Sequence, residues 1–245
     1  MSRKSRKPTF IDAHAHVDNV KTYLENIRRA DIEVWINAIE LSEINEIVSV
    51  SKSIPSKIFI GVHPSRADRY EPNEFLKRMG SVKKVDGLGE IGLDRRYGIP
   101  LDIQLKALRD QLAIAERYDL PVVLHTRGSV KEVLSEISSY SLKSVLFHWF
   151  SGSTSELNEV LSRGYYVSIG PSIIYSKSSR KVLEAYHRDR LLLETDSPVY
   201  YQPLKVEANP TLIVSVYYAL SNLVKEDINV VAGKIFKVAR NFLKR

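Results

Sequence analysis

Five of the six histidines in this 245-residue chain stand at or just after the ends of short apolar runs. His14 and His16 close Phe10-Ile11-Asp12-Ala13-His14-Ala15-His16. His63 follows Gly61-Val62, His125 ends Val122-Val123-Leu124-His125, and His148 ends Val145-Leu146-Phe147-His148. Two carboxylates close similar runs, Glu90 after Gly87-Leu88-Gly89 and Asp196 after Leu191-Leu192-Leu193-Glu194-Thr195. Histidines at i and i+2 on a strand project from one face, and imidazoles aimed into one space begin a metal site. The chain has no cysteine, so a metal must be held by imidazole and carboxylate. That donor set admits zinc, manganese or magnesium, with imidazole favouring the transition metals. Four histidines, a Glu and an Asp exceed the three protein ligands of a typical single catalytic zinc. They suit two divalent ions that clamp the attacking and leaving oxygens of a phosphoryl transfer. Glu90 lies between the histidine groups in strand order, and a carboxylate has two oxygens with which to bridge two cations.

Basic side chains stand close to these positions. Arg127, two residues after His125, faces the same way if the strand continues, and a guanidinium binds phosphate in a fork. Arg66, Arg95 and Arg96 fall on connections beyond the strand ends, where each is either a phosphate contact or a solvated surface charge. Gly87, Gly89 and Gly92 either let backbone approach the site or bend a strand at a crowded position. His187 lies in a helix-like stretch and reads as structural or surface.

These residues need a scaffold that brings six distant run ends to one place. The apolar runs lie at 9–12, 33–38, 57–62, 85–90, 121–125, 144–148, 165–169 and 190–195. Segments with helical periodicity separate them, most clearly 102–118, while Ser153-Thr154-Ser155-Glu156 has the form of a capping box opening a helix at 153–163. The stretches 42–50, 130–137 and 213–224 are similarly amphipathic, and 227–243 reads as a terminal helix covering a barrel seam. Strand alternating with helix implies parallel pairing, and eight repeats in this length imply a closed (β/α)8 TIM barrel, an α/β fold, as a single domain. An open doubly wound sheet is the competing architecture, but no GxGxxG follows the first run. In a barrel the active site lies at the C-terminal ends of the strands, where the His, Glu and Asp residues fall.

Composition bounds the rest. With 44% hydrophobic and 27% charged residues the chain is globular, and no apolar run is long enough to span a membrane. The formal charge is +7, of which Arg3, Lys4, Arg6 and Lys7 supply four within a basic tail, 1–8, expected to be flexible; the barrel would occupy 9–245. A basic balance suits an anionic partner such as nucleic acid. No apolar signal stretch follows the basic start, which points to the cytoplasm. No obligatory protein partner is evident.

With these motifs assembled, the chain resembles the TatD-related deoxyribonucleases, metal-dependent hydrolases of the wider amidohydrolase-like barrels. The resemblance runs from Phe10 over nearly the whole chain through FIDAHAHVD, GVHPSRA, GLGEIGLD, PVVLHTRG, FHWFSGS, YYVSIGPSI and LLLETDSP. It implies that His14, His16 and Asp196 hold one ion, that His125 and His148 hold the other, and that Glu90 bridges them. Asp196 would also be the base for the attacking water, and His63 would lie in phosphate binding or in the surrounding shell. The implied activity is divalent-metal-dependent cleavage of DNA phosphodiesters, often 3′–5′ exonucleolytic, on single strands or 3′ ends. Trp149, Ser65 and Arg95 depart from the common family pattern, which bears on substrate preference. A hydrolase of a small amide, lactone or phosphotriester is the nearest alternative. In that wider group a carboxylated lysine commonly bridges the metals, whereas no lysine lies within 87–92. A barrel that binds nucleic acid without chemistry is a second alternative, and loss of chemistry would be expected to erode a ligand set that is intact here.

Overall fold

The structure, a computed structural model, describes residues 10–244. Eight strands, β1 (Phe10–Ala15), β2 (Ile32–Asn37), β3 (Ser56–Ile60), β4 (Gly87–Asp94), β5 (Val122–Arg127), β6 (Val145–Phe147), β7 (Tyr166–Ile169) and β8 (Leu191–Leu193), pair in sequence order, every neighbouring pair parallel. The expected barrel is present, with helices in the connections. The basic segment 1–8 and Thr9 lie outside the described residues.

Closure between β8 and β1 is made at the C-terminal rim rather than by a full ladder. The Asp196 N–H donates to the His14 carbonyl (2.9 Å), and the His16 N–H donates to the Ser197 carbonyl (3.0 Å). Below them the Asp12 carboxylate accepts from the Thr195 N–H (2.8 Å) and the Thr195 hydroxyl (2.6 Å). The terminal helix, Ile228–Leu243, packs across both β1 and β8, as expected for a seam cover. Its Phe242 stacks on Trp35 of β2 (5.5 Å between centroids), which in turn stacks on Phe59 of β3 (5.4 Å). All three rings are fully buried, each a gain of roughly 1.5–3 kcal/mol.

The strand bounds differ from expectation at two places that matter. β1 continues past Asp12 to Ala15, and β4 continues past Glu90 to Asp94, so Glu90 lies within its strand and not at its end. Both strands carry an irregularity at these points. Four residues of β1, Asp12 to Ala15, span three of β2, and four of β4, Leu88 to Ile91, span three of β5. An extra residue of this kind interrupts alternation and re-aims the side chains beside it. His14 and Glu90 fall within these irregular spans. Small residues are required there: a Cβ on Gly89 would sit 2.8 Å from Val123 Cβ and 2.9 Å from Asn37 Oδ1. At Gly92 (φ 148°) it would meet the His125 carbonyl oxygen at 2.0 Å. The glycines of this strand therefore serve close barrel packing.

The long helix Leu101–Arg117 uses two buried glutamines, seven residues apart and so on one face, to hold strand ends. Gln104 accepts from the Asp94 N–H (2.8 Å) and donates to the Asp94 carbonyl (3.1 Å). Gln111 accepts from the Val62 N–H (2.8 Å) and donates to its carbonyl (3.3 Å), fixing the residue before His63. The helix Thr154–Ser162 opens with the expected capping box, Ser153 and Glu156 bonding reciprocally.

Candidate metal centre

Glu90 is the hub. Its Oε2 lies 3.2 Å from His14 Nε2 and 3.6 Å from His16 Nε2, and both of those nitrogens lie 3.5 Å from Asp196 Oδ1. Its Oε1 faces the other way, 2.5 Å from His125 Nδ1, 2.6 Å from His148 Nε2 and 3.5 Å from His63 Nε2. His125 Nδ1 and His148 Nε2 are 3.3 Å apart. All six residues expected to be ligands therefore meet at one place, in two pockets that share one carboxylate. His14, Glu90, His148 and Asp196 are buried, His16 and His125 partly so.

The residues fit divalent ions. Ligands about 2 Å from a tetrahedral ion stand roughly 3.3 Å apart, close to the spacing of the His14, His16, Asp196 and Glu90 donors. His14 Nε2 is buried with no hydrogen-bond partner among the described residues; with the ring proton on Nδ1, its lone pair is one that a cation would satisfy. On the other side, Glu90 Oε1 is at hydrogen-bond distance from two imidazoles. His125 Nε2 is 2.6 Å from Asp94 Oδ2; with the proton on that nitrogen, Nδ1 presents a lone pair towards Glu90. Two such bases converge only with a cation between them, a proton in the bare protein or a metal ion in its place.

The electrostatics agree. Burial opposes charge on Glu90, but the surrounding imidazoles, His148 and His63 foremost, hold its carboxyl well below the usual carboxylate range. Burial likewise opposes charge on His16, yet its bond to Asp196 and the charges of Glu90 and Asp196 raise it to about 9. His14, buried and beside His148, is lowered. The turn after β8 places Asp196 in the left-handed region (φ 50°), which a short polar side chain tolerates, with its carboxylate toward both histidines.

The sequence model of the family described as TatD related DNase matches residues 11–244. The chain belongs to that family. An uncharacterized metal-dependent hydrolase of Bacillus subtilis, YabD, is 29% identical over 77% of this chain and 80% of its own length. Human deoxyribonuclease TATDN3 is 27% identical over 82% of each. The crystal structure of YjjV, a TatD homolog from Escherichia coli, superposes with a TM-score of 0.85 at 25% identity, covering 97% of this chain and 98% of that one. This is thus a TatD-family, metal-dependent hydrolase fold, and some relatives are named deoxyribonucleases.

Three positioning groups of this TatD-family chain carried no assigned role in the sequence: Asp94 and Glu194 lie within the motifs above, and Asn37 in the second apolar run. Asp94, four residues beyond Glu90, orients His125 through Nε2. Glu194, two before Asp196, lies 3.6 Å from His148 Nδ1, and accepts from the Trp149 N–H (2.7 Å) and the Ser168 hydroxyl (2.5 Å). The Asn37 carbonyl lies 3.1 Å from His16 Nδ1. An outer carboxylate or carbonyl on the far nitrogen is what fixes a ligating ring.

The expected substrate residues divide. His63 is in the centre, its Nδ1 accepting from the Ser65 N–H (3.1 Å), which leaves the neutral ring's proton on Nε2, toward Glu90. Arg127 ends β5, opposite Asp94, and is exposed. Arg95 is exposed too but ion-paired with Glu132. Arg66 lies 3.3 Å from Glu40, and His187 is on the surface beside Tyr186. Among the described residues no helix is long and apolar enough to cross a membrane.

Proposed function

We propose that this chain is a deoxyribonuclease that hydrolyses DNA phosphodiesters with two divalent ions, acting on single strands from the 3′ end in the cytoplasm. The observation that carries this reading is the orientation of Glu90, with one oxygen toward each of two imidazole pockets. Divalent ions bound there would supply Lewis acidity, lowering the pKa of water toward neutrality and offsetting charge that develops on the phosphate. In this reading His14, His16 and Asp196 hold one ion, His125 and His148 the other, and Glu90 spans both.

The side chains then have separate tasks. Asp196, at the rim and kept ionised by the adjacent histidines, accepts the proton of the attacking water. His63, its proton on Nε2, donates a hydrogen bond to a phosphate oxygen. Arg127 binds the neighbouring phosphate as a fork, and Arg95 does so by exchanging Glu132 for the strand. Zinc and manganese suit the imidazole-rich set better than magnesium.

The test is digestion of 3′- and 5′-labelled single- and double-stranded DNA with each divalent metal, beside amide and lactone substrates. Glu90→Ala and Asp196→Ala should abolish cleavage while the circular dichroism spectrum stays unchanged. Full activity in either variant, or turnover of the amide or lactone alone, would sink the proposal.

A further inference from the structure

The centre sits below a rim that displays aromatic rings. Among the described residues, seven large apolar side chains are exposed, and three of them follow strand ends on the site's face. These are Tyr97 after β4 (43% exposed), Tyr175 after β7 (38%) and Tyr200 after β8 (50%).

Tyr97 stands perpendicular to His63, their centroids 5.4 Å apart, and lies 6.5 Å from His125. A perpendicular contact occupies at most one ring face, and the exposure of the side chain leaves the other open. Its phenol makes no hydrogen bond among the described residues, and no described carboxylate pairs with the exposed Arg127 on the next strand. Across the centre, Trp149 follows His148 and leans on Tyr201 (5.4 Å, 38°). Its backbone is in the left-handed region (φ 36°), uncommon for a bulky residue, and its N–H is anchored on Glu194. The donors beneath are almost wholly buried, Glu90 at 2% and Asp196 at 6% exposure. A single strand can bring its phosphate to them while its splayed bases turn to the rings beside the centre.

We infer that Tyr97 on one side and Trp149 on the other are stacking platforms for the unpaired bases that flank the phosphate at the centre. The occupant is single-stranded nucleic acid. Aromatic rings take up successive bases with little regard to sequence, and nearby arginines track the backbone. This rests on the phosphodiester reading and adds to it a physical basis for strand selection.

The experiment measures binding of the metal-loaded full chain to a phosphorothioate decathymidylate and to an abasic, tetrahydrofuran-linked phosphorothioate decamer of equal charge. Only two tryptophans are present, and Trp35 is buried in the core, so quenching of Trp149 emission reports contact directly. The base-bearing strand should bind about tenfold more tightly and quench, and the abasic strand should not quench. Tyr97→Ala should lose most of that difference with the abasic affinity unmoved, and Tyr97→Phe should restore it. Equal affinity for both decamers, or an equal loss on both in Tyr97→Ala, would overturn the platforms alone. If the wild type cleaves neither cognate phosphodiester decamer, with bases or without, the phosphodiester reading falls and the platforms with it.

Discussion

Of the two carboxylates in the centre, Glu90 turns one oxygen toward each imidazole pocket, whereas Asp196 faces only His14 and His16. The imidazoles around Glu90 must each present a lone pair inward, and that depends on what holds their outer nitrogen. Asp94 does this for His125 at 2.6 Å, and Asn37 does it for His16 through its carbonyl. Asp94→Asn should therefore weaken metal binding about 10–100-fold, with the fold retained, in a metal titration followed by calorimetry. An unchanged affinity would show that His125 needs no such support. The ligand types were legible in the sequence because metal chemistry admits so few donors once cysteine is absent. Asp94 and Glu194 were not singled out, since a carboxylate that holds a ligand and one that is a ligand look alike until distances are known.

At the scale of elements, the register carries the site. Alternation along β1 and β4 would place His14 and Glu90 correctly only on regular strands, and both strands are bulged there. A one-dimensional reading reports which residues alternate but not where a ladder skips, so Glu90 was expected at a strand end. The amphipathic helices were easier: 130–137 and 213–224 match the observed Val130–Ile137 and Ile213–Val224 because one apolar stripe at helical spacing suffices to define them. The seam is the most exacting element. Asp12→Ala would strand the Thr195 N–H and hydroxyl in the buried seam, and thermal unfolding should show a loss of about 1–3 kcal/mol for each donor left unmet. The same change should lower turnover, because Thr195 precedes Asp196. A variant that lost stability while keeping full turnover would separate the seam from the site.

Some residues of the whole molecule serve stability and not chemistry. Phe242, packed on Trp35 away from the centre, is such a stability residue; Phe242→Ala should cost about 3–5 kcal/mol while the metal content of the folded fraction stays at the wild-type level. Titration behaviour is also a property of the ensemble of charges. In the chelated protein, His16, raised to about 9, contributes stability that is complete below the ordinary histidine value and is lost as pH rises through about 9. His63, lowered to about 4 chiefly by burial, contributes stability present above the ordinary value and lost as pH falls toward about 4. The chelated chain's Tm should thus fall from about pH 7 to about pH 10, with Asp12, raised to about 8 chiefly by burial, adding to the loss up to that pH. Metal loading should flatten the alkaline limb, since ions then replace the protons. A chelated Tm that climbs over that range would contradict this balance.

The seam also sets an order of events. Asp12 and Thr195 are separated by 183 positions in the chain, and His14 and His16 share Asp196 across the same junction. Contacts between such distant parts of a chain form late, after the intervening strands have found their neighbours. A ribosome-bound chain that has not yet extruded β8 holds the two histidines but lacks their carboxylate partner from β8. The centre is therefore a reporter of completed folding: uptake of the ion beside His14 should coincide with barrel closure in a stopped-flow refolding experiment. A metal-dependent hydrolase assembled in this order stays inert through its own synthesis.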